Sequence, residues 1–149
     1  MLIGCDSIFE SAPSDFTSAD ELFNTVATVL INISCYETID LSCPHPDIAP
    51  PLVRCIHSRP REFNTIWLIA NLLYRTNLFS QHLITTLAEG PLVAYLRRRI
   101  SAPFESQAHT TVFYIFIGGV VAAMGQLAVF KEFKKLLEVV MEFAKMENE

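Results

Sequence analysis

The stretch Asn64-Thr-Ile-Trp-Leu-Ile-Ala-Asn-Leu-Leu-Tyr74 decides how the chain is read, and it holds the single tryptophan of the protein. As a helix it places Trp67 and Asn71 one turn apart on the same face, about 40° from each other around the axis. Leu68, Ile69, Ala70, Leu72 and Leu73 cover the other faces with apolar groups. A helix apolar almost all round is buried between other helices or in lipid. A Trp–Asn pair on such a helix calls for a role, because an unpartnered buried amide costs roughly a few kcal/mol. The face reads as the lining of a groove in a helical stack.

Working outward, 149 residues are enough for one domain with a real core. Hydrophobic residues make up 51% and charged ones 18%, which excludes a disordered chain. Apolar runs recur at helical spacing and strict alternation is rare, so the fold class expected is all-α. The net charge of −5 is unevenly spread: residues 1–53 carry −8 without a Lys or Arg, residues 54–99 carry +5, and the rest −2. An acidic front argues against nucleic acid as a partner. It suits a basic partner, or simply a solvated acidic surface. Met1-Leu-Ile-Gly-Cys5 lacks the basic start of a secretory signal, so Cys5, Cys35, Cys43 and Cys55 are expected as reduced thiols of a protein of the cytoplasm and nucleus.

In chain order, residues 1–17 read as an arm or capping segment. Ser18-Ala-Asp-Glu21 fits a capping box, with Ser18 as N-cap of a helix running from Leu22 to about Ser34. A second helix is expected to begin near Pro50-Pro51 and to end before Ser58-Arg-Pro60. The opening stretch, from about Glu62 to Thr76, is the third. Further helices start near Ser80 and, after a break at Gly90-Pro91, at Pro91–Ile100. A long apolar helix over about Thr110–Met124 and an amphipathic one over Leu127–Met146 complete the chain.

The order repeats. Pro51-Leu-Val53 returns as Pro91-Leu-Val93, 40 residues on, and Asn32 returns as Asn71, 39 residues on. A looser third copy has Ile117-Gly-Gly-Val-Val121 in place of the Asn element. Helical units of about 40 residues mark armadillo and HEAT stacks. The expectation is a right-handed armadillo/HEAT-like α-solenoid of about three repeats, 18–58, 59–101 and 102–146.

Trp67-Leu-Ile-Ala-Asn71, followed by a loop and Glu89-Gly-Pro-Leu-Val93, resembles the armadillo repeat of importin-α, whose second helix shows Trp-x-x-x-Asn. The likeness covers roughly residues 20–143. Thr28 stands where the first copy would have Trp, and Ile115 and Gly119 replace the Trp and Asn of the third. The resemblance implies recognition of an extended basic segment of nuclear-localisation type, hence nuclear protein import. Trp67, Asn71, Asn32 and Thr28 would be the peptide-binding residues, and cargo or other solenoid proteins the partners. The chemistry fits: an Asn amide both donates and accepts toward an extended backbone, and the indole offers a wall for a Lys or Arg stem. The alternatives are an armadillo scaffold that assembles proteins without binding a signal, and a membrane protein anchored by residues 112–130.

Residues Val112–Phe130 are 19 in number, carry no charge and include Gly118, Gly119 and Gly125, which meets the length of a membrane span; a buried central helix is the soluble counterpart. Cys43-x-His45 and Cys55-x-His57 do not have zinc spacing, so no metal and no cofactor is expected. Arg97-Arg-Arg99 reads as a solvated helix C-terminus, or as a contact for an acidic partner. His82 and His109 have no carboxylate or thiol partner visible in sequence. No catalytic motif stands out, and enzyme activity is not expected.

Overall fold

The computed structural model describes residues 16–36, 46–75, 78–100, 102, 104, 106–124, 138, 141–142 and 145. Six helices are laid out over these: α1 (Phe16–Ser34), α2 (Ala49–Arg54, between single 3-10 turns Pro46–Ile48 and Cys55–His57), α3 (Arg59–Leu73), α4 (Leu78–Ala88), α5 (Pro91–Ile100) and α6 (Gln107–Met124). No strand occurs among the described residues, and the protein is all-helical.

The breaks have local causes. Pro lies in the first turn of α2 and of α3, where its missing N–H costs nothing. Between the two, Ser58 turns extended (φ −94°, ψ 111°) and ends the 3-10 turn. Gly90 takes φ +153°, a conformation open to glycine, and reverses the chain between α4 and α5 at the break expected there. The opening helix differs from expectation. α1 is already running at Phe16, so Ser18 lies within it, exposed, and is not an N-cap. Of the expected helix over Leu127–Met146 only Glu138, Met141, Glu142 and Lys145 are described, and these four are helical; the rest of it lies outside the described residues.

α3 lies between α1 and α6, while α2 and α4 pack on each other and α4 joins α3, α5 and α6. The core runs through all of them; Ile66, Ile69, Leu73, Leu83, Leu87, Leu96, Phe113 and Phe116 are fully buried. A second small cluster, Ala19, Phe23, Ala27 and Cys55, seats α1 on the turn after α2.

The two sides of α3 are made differently. Toward α1 the contact is polar at both ends. Arg61 Nε donates to Asp20 Oδ1 at 2.6 Å with both side chains almost enclosed, and the Arg61 guanidinium lies 5.0 Å over the Phe23 ring. Asn24 Nδ2 donates to the Pro60 carbonyl, and Asn64 to Asn24 Oδ1. At the other end Arg75 donates to the Ser34 and Tyr36 carbonyls. Toward α6 the contact is close and apolar. A Cβ on Gly119 would stand 3.2 Å from the Ala70 carbonyl oxygen, a tight contact, so glycine lets the two backbones lie this close without either having to give. α6 is also the one described helix long and apolar enough to cross a membrane, and it turns Val112, Phe113, Phe116, Val120 and Ala123 into the protein core.

Gly118 supplies a test of this packing. A Cβ there would meet the Tyr74 hydroxyl at 2.3 Å, the flexible end of a half-exposed side chain. Replacing a helical glycine by alanine gains about 1 kcal/mol of helix propensity. Gly118→Ala should therefore raise the urea midpoint fully only in a Tyr74→Phe background, where the clash is gone. Additive effects in the double-mutant cycle would show that the contact carries no energy.

Candidate functional site

Two arrangements of polar and aromatic side chains stand out, one along α3 and one at its N-terminal end. Because α3 is flanked on both sides, its outward face forms a half-buried stripe of Phe63, Asn64, Trp67 and Asn71, at helical spacing. Phe63 and Trp67 meet edge to face at 5.7 Å between centroids and an interplanar angle of 83°. Asn71 sits one turn further on, next to the end of α1 that carries the exposed Asn32. Thr28, one turn earlier on α1, is exposed too, with its hydroxyl donating to the Asn24 carbonyl. Of the four residues singled out in sequence, Asn71 meets α1 through Ser34, while Asn32 and Thr28 lie exposed on that helix and Trp67 is half-buried on α3.

The amide of Asn71 already has work inside the fold. Its Nδ2 donates to Ser34 Oγ at 3.0 Å and lies 3.5 Å from the Ile31 carbonyl oxygen. Carbonyl groups at a helix C-terminus lack intrahelical partners, and Asn71 with Arg75 provides them at the end of α1. Asn71 therefore holds α1, whereas Asn32 is exposed.

The second arrangement centres on Glu62, in the first turn of α3, where the helix dipole favours a carboxylate. Its side chain is 2% exposed. Arg98 donates to Oε1 at 3.1 Å, Arg99 Nε to Oε1 at 3.0 Å, and Arg99 also donates to Oε2 through its terminal nitrogen. The His109 Nε2 lies 2.8 Å from Oε2, at ion-pair distance though out of line for a directed hydrogen bond. Arg98 also donates to the Ile56 carbonyl at the end of the 3-10 turn. Arg99 stacks over Phe104 at 5.3 Å, and Phe104 packs on His109 and Phe113. One carboxylate thus joins the start of α3, the end of α5 and the start of α6.

This cluster replaces the expected solvated arginine end: of Arg97-Arg-Arg99 only Arg97 has no part in it. It also supplies the carboxylate that sequence inspection did not find for His109. Arg98 and Arg99 stand 36 and 37 residues after Glu62, near the 37 to 41 that separate Asn71 from Ser34 and Arg61 from Asp20, and that spacing was the available signal; no such spacing marks His109. Electrostatics follow the geometry. Burial alone would lower the Arg99 guanidinium, but the hydrogen bond and charge of Glu62 outweigh it and hold its pKa above the ordinary value. Burial and the nearby Arg98 charge push the His57 imidazole below its usual range, with Glu62 opposing. Burial likewise drives the Tyr95 phenol up. Of the Cys/His set considered for zinc, Cys55 is buried with its thiol on the Pro51 carbonyl and His57 is exposed; Cys43 and His45 lie outside the described residues. No group of three metal-ligating residues forms among the described residues.

Removing the carboxylate strands buried charge, so Glu62→Gln should cost about 3–5 kcal/mol by urea unfolding. Arg98→Gln, with 42% of the side chain exposed, should cost about 0–1 kcal/mol; equal losses would mean that Glu62 is not the centre of the cluster. The lowered His57 favours the neutral ring in the folded state. Its contribution is present above the unfolded-state value of 6.5 and is lost as pH falls through the lower folded value. His57→Gln should accordingly flatten part of the fall in melting temperature on the acid side of neutrality, and an unchanged profile would remove His57 as its source.

No protein-family model matches the chain, and no curated protein or solved structure matches it significantly.

Proposed function

We propose that the protein is a protein-binding module built as a right-handed armadillo/HEAT-like α-solenoid of about three units, 18–58, 59–101 and 102–146, whose α1–α3–α6 face takes an extended basic segment. The observation that carries the reading is the half-buried stripe Phe63, Asn64, Trp67 and Asn71 along a helix flanked on both sides. Such a strip is long and narrow, which suits an extended chain better than a globular ligand. The repeat architecture is supported by side-chain links that join residues 36 to 42 apart, from Asp20–Arg61 to Arg98–Ile56. A basic ligand is supported by the −8 charge of residues 1–53, which include α1, and by the half-exposed indole on which a cationic stem can lie. The resemblance to importin-α extends this to segments of nuclear-localisation type.

A second reading, the scaffold without signal binding, is favoured by one observation: the Asn71 amide is engaged on the end of α1 rather than turned outward. The two readings separate cleanly. With a single tryptophan, emission reports on this strip alone. A lysine-rich peptide should change Trp67 emission saturably, and a glutamate-rich peptide of equal length should not. Asn32→Ala should weaken the binding several-fold at unchanged stability, since Asn32 is exposed. Unmoved emission, together with an inert Asn32→Ala, leaves the scaffold reading.

A further inference from the structure

The layer α1–α3–α6 has two ends, and both expose apolar side chains. α1 carries two seams of alternating three- and four-residue spacing, roughly 180° apart around its axis. Asp20, Asn24 and Ser34 lie on the one that meets α3. Leu22, Thr25, Val29 and Asn32, with Tyr36 just past the helix, make the other. All five are exposed, Leu22 at 53% and Val29 at 45%. At the far end of the layer, α6 turns Gly118, Val121 and Ala122 away from its core-facing side, and Val121 is 53% exposed. Neither stripe carries a charge. We propose that copies of this chain stack head to tail, the outward face of α6 in one copy seating on the outward face of α1 in the next.

The register of the repeat says why these two faces fit. Asn71 stands 39 residues after Asn32. At that displacement Leu22, Thr25, Asn32 and Tyr36 correspond to Arg61, Asn64, Asn71 and Arg75, four residues through which α3 bonds α1. The exposed stripe of α1 is thus the surface on which a preceding helix would sit. Ile115 and Gly119 stand 48 residues after Trp67 and Asn71. At that displacement Gly118 and Val121 correspond to Ala70 and Leu73, the residues of α3 that Gly119 packs against. The exposed side of α6 is thus the surface that α3 offers a following helix, with a small residue again at its centre. Tyr74, 49% exposed, reaches Gly118 with its hydroxyl and extends that side. With α3 between them, the two faces can meet only between copies. A contact between two unlike faces does not close on itself, so it builds an open row rather than a symmetric pair. Stacked repeats need polar caps to prevent this. The inference rests on the stacking order of the proposed solenoid and not on peptide binding.

Sedimentation velocity of the whole chain over a wide concentration range reads the outcome. The wild type should grow past dimer as concentration rises. Val29→Glu and Val121→Glu each spoil one face at an exposed position, so each should melt like the wild type and run as a monomer. Mixed one to one, they should form a heterodimer and nothing larger, because each supplies the face that the other has lost. Leu22→Gln and Ala122→Gln, exposed as well, take the place of either variant that melts lower. The Val121→Glu monomer keeps the α1–α3 stripe, so its Trp67 response to a lysine-rich peptide holds or fails independently of association. The proposal is overturned if the wild type stays monomeric at every concentration, if Val121→Glu still associates, or if the mixed variants remain monomers. Pairing that is lost in Val29→Glu alone would mean a symmetric α1 contact instead.

Discussion

One buried carboxylate organises the N-terminal end of the central helix. Glu62 is almost wholly removed from water, and an ionised carboxylate there is tolerable only with partners on every side. Two arginines and a histidine supply them, from the end of α5 and the start of α6. The carboxylate therefore does by charge what the leucines and isoleucines further along α3 do by packing. It draws together segments that the chain visits far apart. Its position in the first turn of α3 matters, since the free N–H groups at that end favour negative charge.

The rest of α3 shows how one helix serves two unlike neighbours. On the α1 side, directional bonds at either end, Asp20–Arg61 and the Asn71 and Arg75 contacts, fix the pairing. On the α6 side, glycine allows backbones to close up and dispersion contacts accumulate. The outward stripe with Trp67 is what remains once both neighbours are in place. Its half-burial is a product of the packing on either side rather than of its own composition.

Much of this was legible in the sequence. The apolar runs between Leu22 and Ser34 and around Trp67 carry helical spacing that no strand could use, and Gly90-Pro91 leaves the chain no choice but to turn. The 39-residue echo of Asn32 in Asn71 lies close to the 40 residues that separate Asn24 and Asn64, whose side chains bond between α1 and α3. The extent of α1 was missed because Ser18 and Glu21 have the composition of a cap, and composition cannot tell whether a helix is beginning or already under way. The Glu62 cluster was hidden for a different reason. Arg97-Arg-Arg99 looks identical in sequence whether it faces water or a carboxylate, and only the path of the chain through α4 and the reversal at Gly90 decides which. The inward use of the Asn71 amide was equally invisible, since an amide binds a helix end and a foreign backbone with the same atoms.

The links between α1 and α3 sit near opposite ends of the shared interface, and this has a mechanical consequence. A slip of one helical turn, about 5.4 Å, would part Asp20 from Arg61 at one end and strand Asn71 and Arg75 at the other in the same movement. Apolar surfaces alone can slide past one another with little loss. Two polar fastenings a helix length apart cannot, so the pair resists axial shear as a bolted joint does. Force transmitted along this face would be met by rupture at a threshold and not by gradual creep.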